Sequence, residues 1–372
     1  MVLLLKRANL LPQKTIVVAP LDWGIGHASR MIPVIRQLIA LDQRLIIAAA
    51  GAPLSLLRQA FPSVEFIHYP APVPFYGRGD SLLWPVLMQI PGWWRQYHAD
   101  QHQMEAIVSQ VEADAVISDN RFGAFSKAVP SVFVTHQIHI KAPGLLKLSE
   151  FLLFEINKRI VSNYSACWIP DWPGEEALSA ALSQPPFEHL PCHWIGPLSR
   201  FMHPVENQTA DGFDAADVFV VLSGPEPQRS MLEQSVLKHF ANTSKRVLIV
   251  RGLPGNKAAV SSGPNIRMEN HLGDAEMYFQ LKNAGRVIAR AGYSTIMDLV
   301  ACKRSAILIP TPGQPEQEYL AAVLAKKGYF EQLKQRDISK AGFSFPTTAP
   351  LKEFHGTDDR LLPHLKNWIG SL

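Results

Sequence analysis

Short runs of nearly uninterrupted apolar residues recur along the chain. Thr15–Ala19, Arg44–Ala48, Val64–His68, Ala115–Ser118 and Val132–Thr135 lie in the first half; Val218–Leu222, Arg246–Val250, Arg286–Ala289 and Ala306–Ile309 lie in the second. Because these runs are continuous rather than alternating, they predict strands covered on both faces, as in a parallel sheet. Between them lie segments of helical period. Ser29–Ala40 places Ile32, Ile35, Arg36 and Ile39 along one stripe, and Ser230–Phe240, a stretch around Leu145–Ile160 and Glu318–Lys327 read similarly. Strand–helix alternation predicts βαβ units.

The alternation runs twice. After a further short strand expected at Cys167–Ile169, the passage Ser183–Pro204 breaks the pattern with Pro185, Pro186, Pro191, Pro197 and Pro204. Polar residues follow, up to the fresh strand at Val218. This puts a boundary near 200–214: a first domain over 1–205, a second over 206–358, and a closing amphipathic helix over 359–372 that can pack back on the first domain. The predicted fold is α/β, with two doubly wound, Rossmann-like domains whose strand carboxyl ends face each other across a cleft.

Composition narrows the classes. With 372 residues, 47 % of them apolar and 18 % charged, the chain can fill two cores, which excludes a disordered or fibrous protein. A net charge of +4 is close to neutral at this length, so no nucleic-acid partner is expected. Cys167, Cys192 and Cys302 are scattered and form no CxxC, so neither a disulfide framework nor a structural zinc is expected. Lys6 and Arg7 cut the opening apolar run too short for a secretory segment, and no run reaches the ~18 apolar residues that span a bilayer. The expected address is cytoplasmic, with the inner face of the membrane left open. The stretch 81–95 (SLLWPVLMQIPGWWR), flanked by Arg78, reads either as a peripheral membrane contact or as a helix and loop packed over the first domain.

Candidate chemistry collects where strands end. The first strand of each half runs into a small-residue turn, Asp22–Ser29 (DWGIGHAS) and Ser223-Gly224-Pro225-Glu226. Glycine lets the backbone approach a ligand, and the following helix N-terminus offers N–H groups to an anion. The first turn lacks the third small residue of a dinucleotide fingerprint, and Ala48-Ala49-Ala50-Gly51 supplies no acidic residue, so a nicotinamide cofactor is disfavoured and none is expected. His27, on a glycine turn at the cleft mouth, is the candidate general base. Asp119 follows a strand and is its candidate partner or a second base; an Asx-turn is the plainer reading. His136 and Gln137 likewise follow a strand and are expected to face the cleft, although His136 also reads as a satisfied interior histidine. No DxD-type carboxylate pair follows a second-half strand, so no metal is expected.

The second half carries more. Ala289–Asp298 (ARAGYSTIMD) follows a buried strand, with Ser294 and Thr295 placed to cap the next helix and Asp298 inside its first turns. Ala306–Ile309 then leads into Pro310–Tyr319 (PTPGQPEQEY), a polar loop stiffened by proline. Taken one by one, Arg290 could pair with a carboxylate, and Gln314 and Gln317 could be solvated.

Together these motifs resemble the C-terminal donor half of GT-B glycosyltransferases of the MurG-like, family 28 type, and Gly24-Ile25-Gly26-His27 resembles that family's glycine-rich first loop with one glycine absent. The resemblance implies metal-independent, inverting transfer of a hexosyl or N-acetylhexosaminyl group. The donor is a nucleotide diphosphate sugar, commonly UDP-linked; the acceptor is a hydroxyl compound, often lipid-linked. The resemblance puts Gly24 and Gly26 on the acceptor side, together with His136 and Gln137, a pair similar to the family's HxQ segment. It places Ser223, Gly224, Arg290, Ala291, Gly292, Ser294 and Thr295 at the diphosphate and Asp298, where Glu is more usual, at the ribose. It places Gln314, Glu316 and Gln317 at the sugar hydroxyls, Leu272 beside the base, and Arg251 as charge for the leaving diphosphate. Glu316 stands where a His is typical and Leu320 where an Asn is. Two other readings stay open: a nucleotide-sugar epimerase using Glu316 and Asp119, and a nucleotide-sugar-binding protein without catalysis.

Overall fold

A computed structural model describes residues 11–71, 83–142, 149–202, 213–253, 260–261, 263–338 and 359–372. The first lobe is built on strands β1 (Thr15–Pro20), β2 (Arg44–Ala49), β3 (Glu65–His68), β4 (Ala115–Asp119), β5 (Ser131–Val134), β6 (Ala166–Ile169) and β7 (Cys192–Trp194). They form one parallel sheet in the order β3-β2-β1-β4-β5-β6-β7. The second lobe holds β8 (Val218–Val221), β9 (Val247–Val250), β10 (Val260–Ser261), β11 (Ile266–Glu269), β12 (Arg286–Ala289), β13 (Ile307–Leu308) and β14 (Glu331–Gln332). Their order is β10-β11-β9-β8-β12-β13-β14, parallel except for β10. Both sheets are doubly wound, as the continuous apolar runs predict. Strand order reverses beside β1 and beside β8, and ligand crevices form at such reversals.

The helices are α1 (Ile25–Ala40), α2 (Gly51–Ala60), α3 (Leu83–Val111), α4 (Glu150–Val161), α5 (Gln228–Phe240), α6 (Asp274–Asn283), α7 (Tyr293–Ala301), α8 (Pro315–Lys326) and α9 (Leu361–Ser371). Ile32 and Ile35 of α1 are fully buried, but Ile39, expected on the same stripe, is 43 % exposed near the helix's C-terminal end. Part of the stretch 81–95 opens the 29-residue helix α3; residues 81 and 82, and the side chains up to 91, lie outside the described residues. Among the described residues no helix is long and apolar enough to cross a membrane.

Two packing features position the site. Leu361, Leu365 and Ile369 of α9 are buried in the first lobe's core with Met31, Ile35 and Trp168. In the other direction, Trp172, Leu178 and Leu182, which follow β6, are buried in the second lobe's core with Phe219, Leu320 and Leu324. Asp171 holds that arm in shape: its buried carboxylate accepts the N–H groups of Trp172, Leu178 and Ser179 and the Ser179 hydroxyl. Each apolar side chain so buried contributes roughly 1.5–3 kcal/mol, so the arm binds the lobes firmly.

Candidate active site

The first lobe's half of the site begins at the β1–α1 turn. Gly24 stands before α1 at φ +152°, a conformation that L side chains rarely adopt, and this lets the strand turn directly into the helix. His27 and Arg30 are three apart on α1 and so share a face. The register aligns Pro20 of β1 with Asp119 at the end of β4, which sets the carboxylate beneath that face.

Asp119 is fully buried and bonded on both oxygens. Arg30 Nε donates to Oδ1 at 2.7 Å, and His27 Nδ1 lies 3.1 Å from Oδ2. Arg30 Nη2 also pairs with Asp119 and lies 3.1 Å from His27 Nδ1, while Nη1 lies 2.9 Å from His136 Nδ1. From His136 the chain of bonds crosses the cleft: Nε2 is 2.8 Å from Glu316 Oε1 on α8. The His136 ring stacks on Tyr293 of α7, with centroids 3.9 Å apart and planes within 3°.

Donor counting fixes the proton positions. A guanidinium only donates, so His136 Nδ1 must accept, and its proton sits on Nε2 and points to Glu316. His27 Nδ1 lies between Arg30 Nη2 and Asp119 Oδ2; because Nη2 can donate to Asp119 Oδ1 while Oδ2 has no other donor, we assign the proton to His27 Nδ1, which leaves the lone pair on Nε2. The His27 side chain is 20 % exposed, whereas Arg30 and His136 are 2 % and 4 % exposed. Burial alone would raise the Asp119 carboxyl, but Arg30 and His27 outweigh it and hold it below the usual carboxylate range. Burial keeps His136 below the usual imidazole range against the pull of Glu316. Glu316 is held low by His136 in spite of burial.

The second lobe's half lies around α7 and the loop after β13. Gly292 is the N-cap of α7, so Ser294 and Thr295, expected as caps, fall inside the first turn, and no side chain caps this end. Ser294 Oγ donates instead across the cleft to the Gly26 carbonyl at 2.9 Å. A Cβ on Gly26 would stand 3.0 Å from that hydroxyl, so Ser294 would have to give way to any larger residue there. Tyr293 donates its hydroxyl to Pro170 O at 2.8 Å. Arg290 is fully buried and finds carbonyl oxygens of Gln228, Ile309 and Pro310 rather than the carboxylate considered for it. Burial lowers its guanidinium to about 10. Its Nε, Thr311 Oγ1 and Gln314 Oε1 are buried and unpartnered among the described residues. They share one wall with Gly224, where an added Cβ would meet Thr311 Oγ1 at 3.5 Å. Ser223 stands half-buried beside it, and Ala291 is buried beneath.

Several expected residues are placed otherwise. Gln317 is not solvated: it is 6 % exposed, and its Oε1 accepts the Thr311 N–H at 2.9 Å, shaping the loop. Arg251 brings no spare charge, because Glu233 holds its Nε at 2.8 Å and Asn270 its Nη1 at 3.0 Å. The Leu272 side chain lies in the core, which is compatible with the expectation that the backbone of residues 271–274 borders the base. Asp298 sits at the junction between the lobes, where Ser199 Oγ donates to it at 2.6 Å and Arg200 Nε lies 3.9 Å away; burial pushes its carboxyl up to about 6. His136, expected to line the acceptor side, uses both nitrogens and one ring face in the bridge, and Gln137 is a half-buried turn residue bonded through its backbone. Arg30 and Tyr293 were not expected; the spacing of three from His27 was the available sign for Arg30. Among the described residues no group of three or more His, Cys, Asp or Glu could hold a metal ion.

Residues 232–343 match the glycosyltransferase family 28 C-terminal domain. Over nearly the whole chain the structure is similar to solved glycosyltransferases. The glycotransferase of kitacinnamycin is 12 % identical over 96 % of this chain and 94 % of that one, with a TM-score of 0.58. CalG4, the calicheamicin glycosyltransferase, is 14 % identical over 97 % and 94 %, with a TM-score of 0.57. MurG of Acinetobacter baumannii is 14 % identical over 97 % and 100 %, with a TM-score of 0.53. No curated protein sequence matches the chain. The fold is GT-B, and the family 28 match falls on the second lobe.

Proposed function

We infer that this GT-B chain, with its family 28 match, works as a glycosyltransferase through the site between its lobes. It moves a hexosyl or N-acetylhexosaminyl group from a nucleotide diphosphate sugar, UDP-linked by preference, to a hydroxyl acceptor. The observation that carries the reading is the His27–Asp119 pair: a partly exposed imidazole at the cleft whose Nδ1 lies 3.1 Å from a fully buried carboxylate, the tautomer assigned above leaving Nε2 able to accept a proton. In the reaction the acceptor O–H gives its proton to Nε2 while the oxygen bonds to the anomeric carbon. The bond from that carbon to the diphosphate oxygen breaks, and a single displacement inverts the centre. Asp119 stabilises the imidazolium so formed. Negative charge develops on the diphosphate, and the second-lobe wall suits it: the N–H groups at the start of α7, the buried cation of Arg290 and the Thr311 hydroxyl, while Gln314 Oε1, an acceptor, suits a sugar hydroxyl instead.

The acceptor enters on the first-lobe side, past Gly24 and the Trp23 ring, which is 41 % exposed. A lipid-linked acceptor, with peripheral membrane contact through 81–95, belongs to the same proposal; exposed Trp94 in that stretch supports it. The epimerase reading is disfavoured, since it needs carboxyl groups free to move protons at the sugar. Asp119 is fully buried, and Glu316 Oε1 is held by His136.

The test is nucleotide release from UDP-GlcNAc and related donors with a pool of hydroxyl acceptors. A positioned base typically contributes ~10²–10⁴-fold. His27→Ala is expected to lose at least about 100-fold in kcat with little change in donor KM. Full activity in that variant would remove the base from the scheme.

A further inference from the structure

The bond chain that begins at His27 ends on the other lobe, and its charges are arranged in a definite order. Arg30 and Asp119 cancel each other in contact. His136 is neutral, because Arg30 occupies its Nδ1 as donor and its single proton goes to Glu316. Glu316, brought by α8, therefore leaves the cluster one negative charge in excess. The charged and titratable groups that face His27 are Arg30 from its own helix, Asp119 from β4, His136 from the segment after β5, and Glu316 from the second lobe. Tyr293 packs on His136 as an uncharged ring.

We propose that Glu316 and Arg30 are opposed positioning residues for the base: Glu316 supplies, from the other lobe, the negative charge that accommodates a proton on His27, and Arg30 limits it. The base is then fully competent only where the lobes meet, so acceptor activation and assembly of the cleft are one event. This rests on the transferase reading for its purpose but not for its measurement. It differs from a role for Glu316 in reading sugar hydroxyls alone, which would change donor KM and leave His27 unaffected.

The experiment is an NMR titration of the histidine ring Cε1–H signals in the full chain without ligand, with the His27 signal assigned by its loss in His27→Ala. Glu316→Gln is expected to move the His27 midpoint to lower pH by about half a unit, because a neighbouring negative charge is removed. Arg30→Met is expected to move it to higher pH by at least as much, and Arg30→Lys, which keeps the charge, to leave it near the parent value. A merely structural role moves no midpoint in opposite directions. If Glu316→Gln leaves the midpoint in place, or both variants shift it the same way, the proposal is overturned. Should Arg30→Met fail to fold, Glu316→Gln decides alone, since that side chain is 23 % exposed and outside the core. With nucleotide sugars, the acid limb of kcat/KM follows the same shifts. Failure to turn over any donor while the midpoints still move would sink the transferase reading and leave the coupling standing.

Discussion

Asp298 is a carboxyl group whose surroundings favour the proton. Burial raises it to about 6, against 3.8 for an exposed aspartate. The folded chain therefore keeps a proton that the unfolded chain has lost, and stability falls as pH rises from about 4 to about 6, staying lower above. At about 1.4 kcal/mol per pH unit of displacement, the loss reaches up to about 3 kcal/mol. Asp298→Asn removes that slope. Urea unfolding should find it equal to the parent at pH 4 and about 1–3 kcal/mol more stable at pH 8. Gly26 makes the complementary case, in which space decides rather than charge. Gly26→Ala presses on Ser294 at the point where the lobes touch. It should weaken donor turnover severalfold while moving Tm by no more than a few degrees, because the hydroxyl can turn away but its bond to the Gly26 carbonyl is lost.

Among the elements, α9 loses stability on acidification through one histidine. His364 packs edge-on against Trp168 at 4.8 Å and beside His193 at 4.9 Å. Burial, helped by His193, depresses it to about 4. Its contribution is present above about 6.5 and is lost as pH falls towards 4, up to about 3 kcal/mol. Thermal melts at pH 5 and pH 7.5 should therefore differ less in His364→Phe than in the parent. The strands at the heart of both sheets were legible because each is apolar without interruption. Shorter or more polar elements were not: β11 (IRME) alternates in burial, β14 is exposed, and α6 buries only Met277, Gln280 and Leu281 on a polar helix. At the site, His27 and Asp119 could be read because each stands at a strand end. The bond between His136 and Glu316 could not, since 180 residues separate them and only the meeting of two sheets joins them. Arg251 and Asp298 were misplaced for the same reason, as their partners Glu233 and Ser199 are set by tertiary packing.

At the scale of the whole molecule the lobes are linked on several sides. Arg36 of α1 donates to Asp274 at 3.2 Å, Arg200 joins the same carboxylate at 2.8 Å, and Lys327, at the end of α8, donates to the carbonyls of Glu175 and Ala177. The arm after β6 goes further, because its apolar residues complete the second lobe's core. Leu178→Ala should cost about 2–5 kcal/mol, read by denaturant unfolding, although Leu178 belongs by sequence to the first lobe. Scanning calorimetry should accordingly record one endotherm for the pair instead of two. A gene fragment encoding the second half alone would be made with an open socket where Trp172 and Leu178 belong, and such molecules should clump until a peptide copying residues 171–183 is added to fill it.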